Sequence, residues 1–121
     1  MLTRGTSGDD WIYDDKLNRF DDDGELVVSA GSILKGGDGN DVIEAGKGDD
    51  RVTGGNGDDL IAGGQDNDRL YGQNGADRIW GGSEDDLLVG GRGNDQLHGG
   101  SGDDRLRGGL GLVDVQDSQM I

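Results

Sequence analysis

The chain has no cysteine, no proline, a single histidine and five aromatic residues among its 121 positions. The missing cysteines exclude disulfides and thiolate metal sites but leave the compartment open. Leu, Ile, Val and Phe make up about a fifth of the chain, at the edge of the roughly 20 % below which a highly charged chain stays disordered. Basic residues are scarce as well. Eleven Lys and Arg face 26 Asp and Glu, for a net charge of −15. An isoelectric point near 4.1 argues against nucleic acid, whose phosphates select basic surfaces. No apolar run approaches the ~18 residues of a membrane span. The opening Met1-Leu2-Thr3-Arg4-Gly5-Thr6 has no apolar segment of the signal-peptide kind. One small domain is the most this length allows, and a conventional core exceeds its apolar content. Something else must neutralise the acid and replace the missing burial.

What is abundant is Gly, at 27 residues, and Asp, which accounts for 23 of the 26 acidic residues. From Gly36 to Arg107 the chain repeats every nine residues for eight units: GGDGNDVIE, AGKGDDRVT, GGNGDDLIA, GGQDNDRLY, GQNGADRIW, GGSEDDLLV, GGRGNDQLH and GGSGDDRLR. Position six is always Asp (Asp41, Asp50, Asp59, Asp68, Asp77, Asp86, Asp95 and Asp104). Position eight is always aliphatic, from Ile43 and Val52 through to Leu97 and Leu106. Gly holds positions one and two in seven units each and position four in six. Position five is Asn or Asp in seven units, the residues that best tolerate left-handed backbone after Gly.

Six residues of Gly, Asn and Asp predict a tight loop with positive φ angles. The last three predict a short strand whose central side chain points inward. Two units then complete one turn of a flattened right-handed coil, and turns stack at the inter-strand spacing of ~4.8 Å. Loops two units apart lie one above another. Asp41, Asp59, Asp77 and Asp95 therefore line one edge, with Asp50, Asp68, Asp86 and Asp104 on the other. Stacked carboxylates repel unless a cation lies between them. The loop glycines Gly37, Gly39, Gly46, Gly48, Gly55, Gly57, Gly75 and Gly93 would add carbonyl oxygens. Oxygen donors in flexible geometry, without nitrogen or sulfur, favour Ca²⁺ over Zn²⁺ or Mg²⁺. Three gaps on each edge predict about six ions, whose charge of about +12 approaches the excess of the chain.

The unit GGxGxDxUx resembles the nonapeptide of the RTX family of secreted bacterial toxins, proteases and lipases. The resemblance covers residues 36–107 closely. An earlier unit, Gly5 to Tyr13, fits with one Gly replaced and brings Asp10 to position six. The resemblance implies a parallel β-roll, calcium held by these Asp and loop carbonyls, and folding that waits for extracellular calcium. It further implies a secreted protein, exported through a type I channel without a cleaved N-terminal signal. RTX proteins carry longer C-terminal flanks, so the chain reads as a trimmed module of a larger parent or as a small relative.

The expected organisation is a repeat-like N-terminal cap over 1–35, the eight-unit roll over 36–107 and a short C-terminal cap over 108–121. Residues 14–26 interrupt the repeat, and 27–35 rejoin it with Leu34 at the core position. Asp21-Asp22-Asp23-Gly24-Glu25 does not match an EF-hand loop, whose first and twelfth positions would fall on Arg19 and Ala30, and reads as an acidic surface loop. The ninth unit has Val113 where Asp belongs, and Leu110, Leu112 and Val115 are candidates to cover the last layer.

Catalysis is not expected. His98 stands at an outward position, and no Ser lies in a G-x-S-x-G context. A glycosidase pair would use two of the eight Asp, whereas cation binding accounts for all of them. The outward positions seven and nine differ between the two sheets. One carries Arg51, Thr53, Arg69, Tyr71, Leu87, Val89, Arg105 and Arg107, which offset the acidic edges. An alternative use is a shallow site for acidic polysaccharide, with Tyr71 stacking on sugar. The other sheet carries Val42, Leu60, Ala62 and Trp80, a candidate contact with a second chain or a further domain, which leaves an adhesin-like structural element as a further alternative.

Overall fold

A nine-residue unit with one inward aliphatic side chain cannot bury itself, so stability has to come from stacking unit upon unit. The computed structural model describes residues 2–4, 11–13, 33–111 and 113–116, and in it the chain winds as a parallel β-solenoid. Its strands are β1 (Leu2–Arg4), β2 (Trp11–Tyr13), β3 (Ile33–Asp38), β4 (Val42–Glu44), β5 (Arg51–Asn56) and β6 (Leu60–Gly64). They continue as β7 (Arg69–Asn74), β8 (Arg78–Gly82), β9 (Leu87–Arg92), β10 (Asp95–Gly100), β11 (Arg105–Leu110) and β12 (Val113–Gln116). Odd strands β1 to β11 form one six-stranded sheet, while β12 joins the even strands β2 to β10 in the other. Among the described residues no helix is long and apolar enough to cross a membrane.

The register between stacked repeat units is 18 residues, pairing Val52 with Leu70 and Ile61 with Ile79. Two columns of aliphatic side chains meet between the sheets. Leu34, Ile43, Val52, Ile61, Leu70, Ile79, Leu88 and Leu97 are each at most 1 % exposed, with Leu106 packed against them. The inward set is larger than one side chain per unit, because positions one and six are buried too, from Gly36 and Asp41 to Gly90 and Asp95. Leu34 pairs with Val52, as expected for a unit that rejoins the repeat.

The strands depart from expectation in length. In the sheet of odd strands pairing continues into positions two and three, with Gly37 opposite Gly55 and Asp38 opposite Asn56. Identical turns stacked in register can bond to one another whatever their φ, so the ladder does not stop where the chain bends. The first strands show how an insertion is absorbed. Leu2 pairs with Ile33 and Trp11 with Val42, offsets larger than 18 by the thirteen residues of 14–26. The acidic stretch itself lies outside the described residues, and both pairings carry the same offset. At the other end Val113 pairs with Asp95 and Val115 with Leu97, so the ninth unit stays in step.

Core and surface leucines should separate sharply. Leu70→Ala, at 0 % exposure, should cost about 2–5 kcal/mol by the usual cavity penalty. Leu60→Ala, at 37 % exposure, should cost under about 1 kcal/mol. Chemical denaturation in saturating calcium measures both, and equal losses would contradict this packing.

Candidate metal centre

Stacking brings the position-six carboxylates into the two expected columns. In the first, Asp59 Oδ1 accepts the backbone N–H of Asp41 at 2.9 Å, Asp77 that of Asp59 at 2.8 Å and Asp95 that of Asp77 at 2.9 Å. In the second, Asp68 accepts from Asp50 at 2.9 Å, and Asp86 from Asp68 and Asp104 from Asp86 at 2.8 Å. Each carboxylate thus grips the turn before it with one oxygen. The other oxygen is the notable one. Oδ2 of Asp59, Asp68, Asp77, Asp86 and Asp95 is buried and accepts no hydrogen bond. A buried carboxylate oxygen without a donor is costly unless a cation satisfies it.

The oxygens around these atoms come from the backbone. Among the described residues no three His, Cys, Asp or Glu side chains gather as a metal cluster, so carboxylates alone cannot complete a shell. The eight candidate glycines all have positive φ, from 86° at Gly46 to 114° at Gly75. A Cβ built on Gly55 would stand 2.2 Å from the Gly37 carbonyl, and one on Gly57 2.1 Å from that of Gly39. The carbonyls of positions two and four therefore face the turn above. Some are already engaged, since Gln65 N–H donates to the Gly46 carbonyl at 3.0 Å, which leaves that oxygen one lone pair. Carboxylate and carbonyl oxygens on a loop built for close approach fit Ca²⁺. Asp10 lies outside the described residues.

Position five does something the sequence reading did not foresee. Among the described residues no position-five residue has positive φ. Instead the side chain reaches upward. Asn40 Oδ1 accepts the N–H of Asp58 at 2.8 Å, Asp49 that of Asn67 at 2.9 Å and Asp58 that of Ala76 at 2.8 Å. Positions five and six thus clamp neighbouring turns in opposite directions. The recurrence of Asn and Asp at position five was the available signal, but its partner sits 18 residues away. The left-handed backbone falls at positions two and four, even where Gly is absent: Gln73 and Asp66 have φ 74° and Glu84 73°.

The outward faces are arranged as expected. Arg51 pairs with Arg69 on one sheet, with Arg105 and Arg107 further along it and Tyr71 between Thr53 and Val89. On the other sheet Trp80 and His98 stack with ring centroids 5.4 Å apart and planes 6° from parallel. That pairing makes His98 a partner of Trp80 on the surface.

Burial, aided by neighbouring carboxylates, pushes the Asp59, Asp77 and Asp86 carboxyls up to about 7, and Asp68 to about 9. Asp95 is raised as well, by burial. Backbone N–H donors oppose the shift in every case. Between the ordinary 3.8 and these values the folded chain binds more protons than the unfolded one, so metal-free stability must fall as pH rises. The penalty is absent near pH 4, grows towards 7 and is complete only above 9 for Asp68. Far-UV circular dichroism in EDTA should show β-structure gained as pH drops from 8.5 to 5. A pH-independent spectrum would contradict the burial of these groups as carboxylates.

The family described as RTX calcium-binding nonapeptide repeat, in 4 copies, matches residues 30–61, 53–88 and 80–111. No curated protein and no solved structure shows significant similarity to the chain. The family match spans more than half the sequence and falls on the same turns that carry the buried carboxylate columns. The chain belongs to the family of RTX calcium-binding nonapeptide repeats.

Proposed function

We propose that calcium in the gaps between stacked loops drives the folding of this chain, and that the folded roll stabilises a secreted bacterial protein and assists its export. The observation that carries the reading is the set of buried Asp Oδ2 atoms without hydrogen-bond donors, facing backbone carbonyls. The candidate ligands are the eight position-six Asp, with Asp10 in the earlier unit and the carbonyls of the loop glycines. Three gaps in each column give about six ions. Without them the charge of −15 and the small apolar content leave collapse unable to offset chain entropy. Metal-binding free energy is then folding free energy, as in other small metal-dependent domains. A chain that unfolds in low calcium suits export through a narrow channel and folding outside.

Circular dichroism tests this directly. The chain should be disordered in EDTA at pH 7.5 and β-rich after excess CaCl₂. Mg²⁺ should substitute poorly, because it demands six-fold geometry at shorter distances. A folded spectrum in EDTA at that pH would overturn the reading.

A second reading is favoured by the register that sets Arg51 beside Arg69 on the sheet that also presents Arg105, Arg107 and Tyr71. Here the roll is an accessory module for acidic polysaccharide. Replacing Arg51, Arg69 and Arg105 with Ser should then abolish retardation in a polysaccharide gel while calcium-driven folding persists. Loss of folding would make these Arg structural.

A further inference from the structure

Position one is buried in all eight units and is Gly in seven of them. A Cβ built on Gly36, Gly54, Gly63, Gly72, Gly81, Gly90 or Gly99 would stand 2.4–2.6 Å from Oδ2 of the Asp in its own loop. At Gly36, Gly63 and Gly81 the same Cβ would also lie 2.6–2.8 Å from the position-one carbonyl of the next turn. This point is where carboxylate and carbonyl oxygens converge, and Gly keeps it open.

The second unit has Ala45 there. Its methyl is 0 % exposed and belongs to the apolar cluster with Ile43 and Val52. A methyl needs about 3.5 Å from an oxygen it does not bond. Asp50 held as its counterparts are would collide with it. The methyl therefore competes with Oδ2 for the point that Gly leaves open in the other loops. The same layer is crowded from above. A position-four Cβ is aimed at the position-four carbonyl below, at 2.0–2.2 Å for Gly57, Gly75, Gly93 and Gly102. Asp66 has that Cβ and stands over Gly48, with φ drawn in to 74° from the 98–115° of the glycines at this position. In the first column, positions one and four are Gly in every loop. The next layer of the second column receives only the Glu84 Cβ.

We infer that the layer between loops 45–50 and 63–68 is closed by the Ala45 methyl and holds no ion, so that this column binds one ion fewer than the other. The inference rests on the reading that calcium occupies the remaining layers. At this layer the two turns are joined by apolar contact and by the Asp50 N–H to Asp68 Oδ1 hydrogen bond of 2.9 Å.

Native mass spectrometry of the full chain at saturating calcium counts the ions. Ala45→Gly should bind one ion more than the wild type, and Gly72→Ala, which installs the methyl in the first column, one fewer. Ala62→Gly, on the outer face of its strand, should leave the count unchanged. An unchanged count in Ala45→Gly, or a fall through failure to fold, overturns the inference. If Gly72→Ala does not fold, the Ala45→Gly comparison decides alone. Zero ions in both wild type and Ala45→Gly would sink the calcium reading and this inference with it, whereas equal non-zero counts sink only the inference.

Discussion

The constraint that governs the structure is like charge held at ladder spacing. Parallel stacking puts each position-six carboxylate about 5 Å from the next. At that distance and an effective dielectric near 20, each ionised neighbour pair costs about 3 kcal/mol. Three pairs in each of two columns bring the cost to roughly 20 kcal/mol, more than the ~5–15 kcal/mol by which domains are usually stable. The columns must be protonated or neutralised by cations for the roll to exist. A repeat that places Asp at the sixth position of every nine-residue unit writes its need for a counter-ion into its backbone geometry.

The same carboxylates also hold the turns together. Asp59 Oδ1 bonds the Asp41 N–H, while Asn40 Oδ1 bonds the Asp58 N–H, so adjacent loops are tied by acceptors reaching in opposite directions. These bonds satisfy loop N–H groups that extended strands would have satisfied with their own ladder. The cost falls on the second oxygen of Asp59, Asp68, Asp77, Asp86 and Asp95, which accepts no hydrogen bond. Cation binding and inter-turn hydrogen bonding are therefore two ends of one side chain. A change to Asn would retain the inter-turn hydrogen bond and weaken cation binding.

Much of this was legible in the sequence because a solenoid translates period into space. The nine-residue repeat gave the aliphatic column, the alternation of Asp between two edges and the sorting of Arg51, Arg69, Arg105 and Arg107 onto one sheet. What escaped it depends on the neighbouring turn. Strand pairing through Gly37 and Gly55, the acceptor role of Asn40, and the Trp80–His98 stack all join residues 18 apart. Within one unit nothing distinguishes an Asn that accepts a left-handed φ from an Asn that reaches the turn above. Likewise Ala45 looks like a mild departure from Gly until the buried oxygens around its counterparts are seen.

The departures from the repeat are graded by where their Cβ points. Trp80 in place of Glu44 or Ala62 changes only an outer face, and the thirteen residues of 14–26 alter no register. Asp66, Gln73 and Glu84 are harder to absorb, since left-handed backbone costs a residue with a Cβ about 1–2 kcal/mol. Two of the three, Asp66 and Glu84, lie in adjacent loops of one column. Their φ of 73–74°, well below that of the glycines around them, shows the backbone yielding where the carbonyl beneath cannot. The column with Gly at positions one and four throughout makes that adjustment once, at Gln73 in position two. The two edges of the roll, built from one repeat, are thus unequal in the places where a cation would bind, and the inequality lies in a handful of β-carbons.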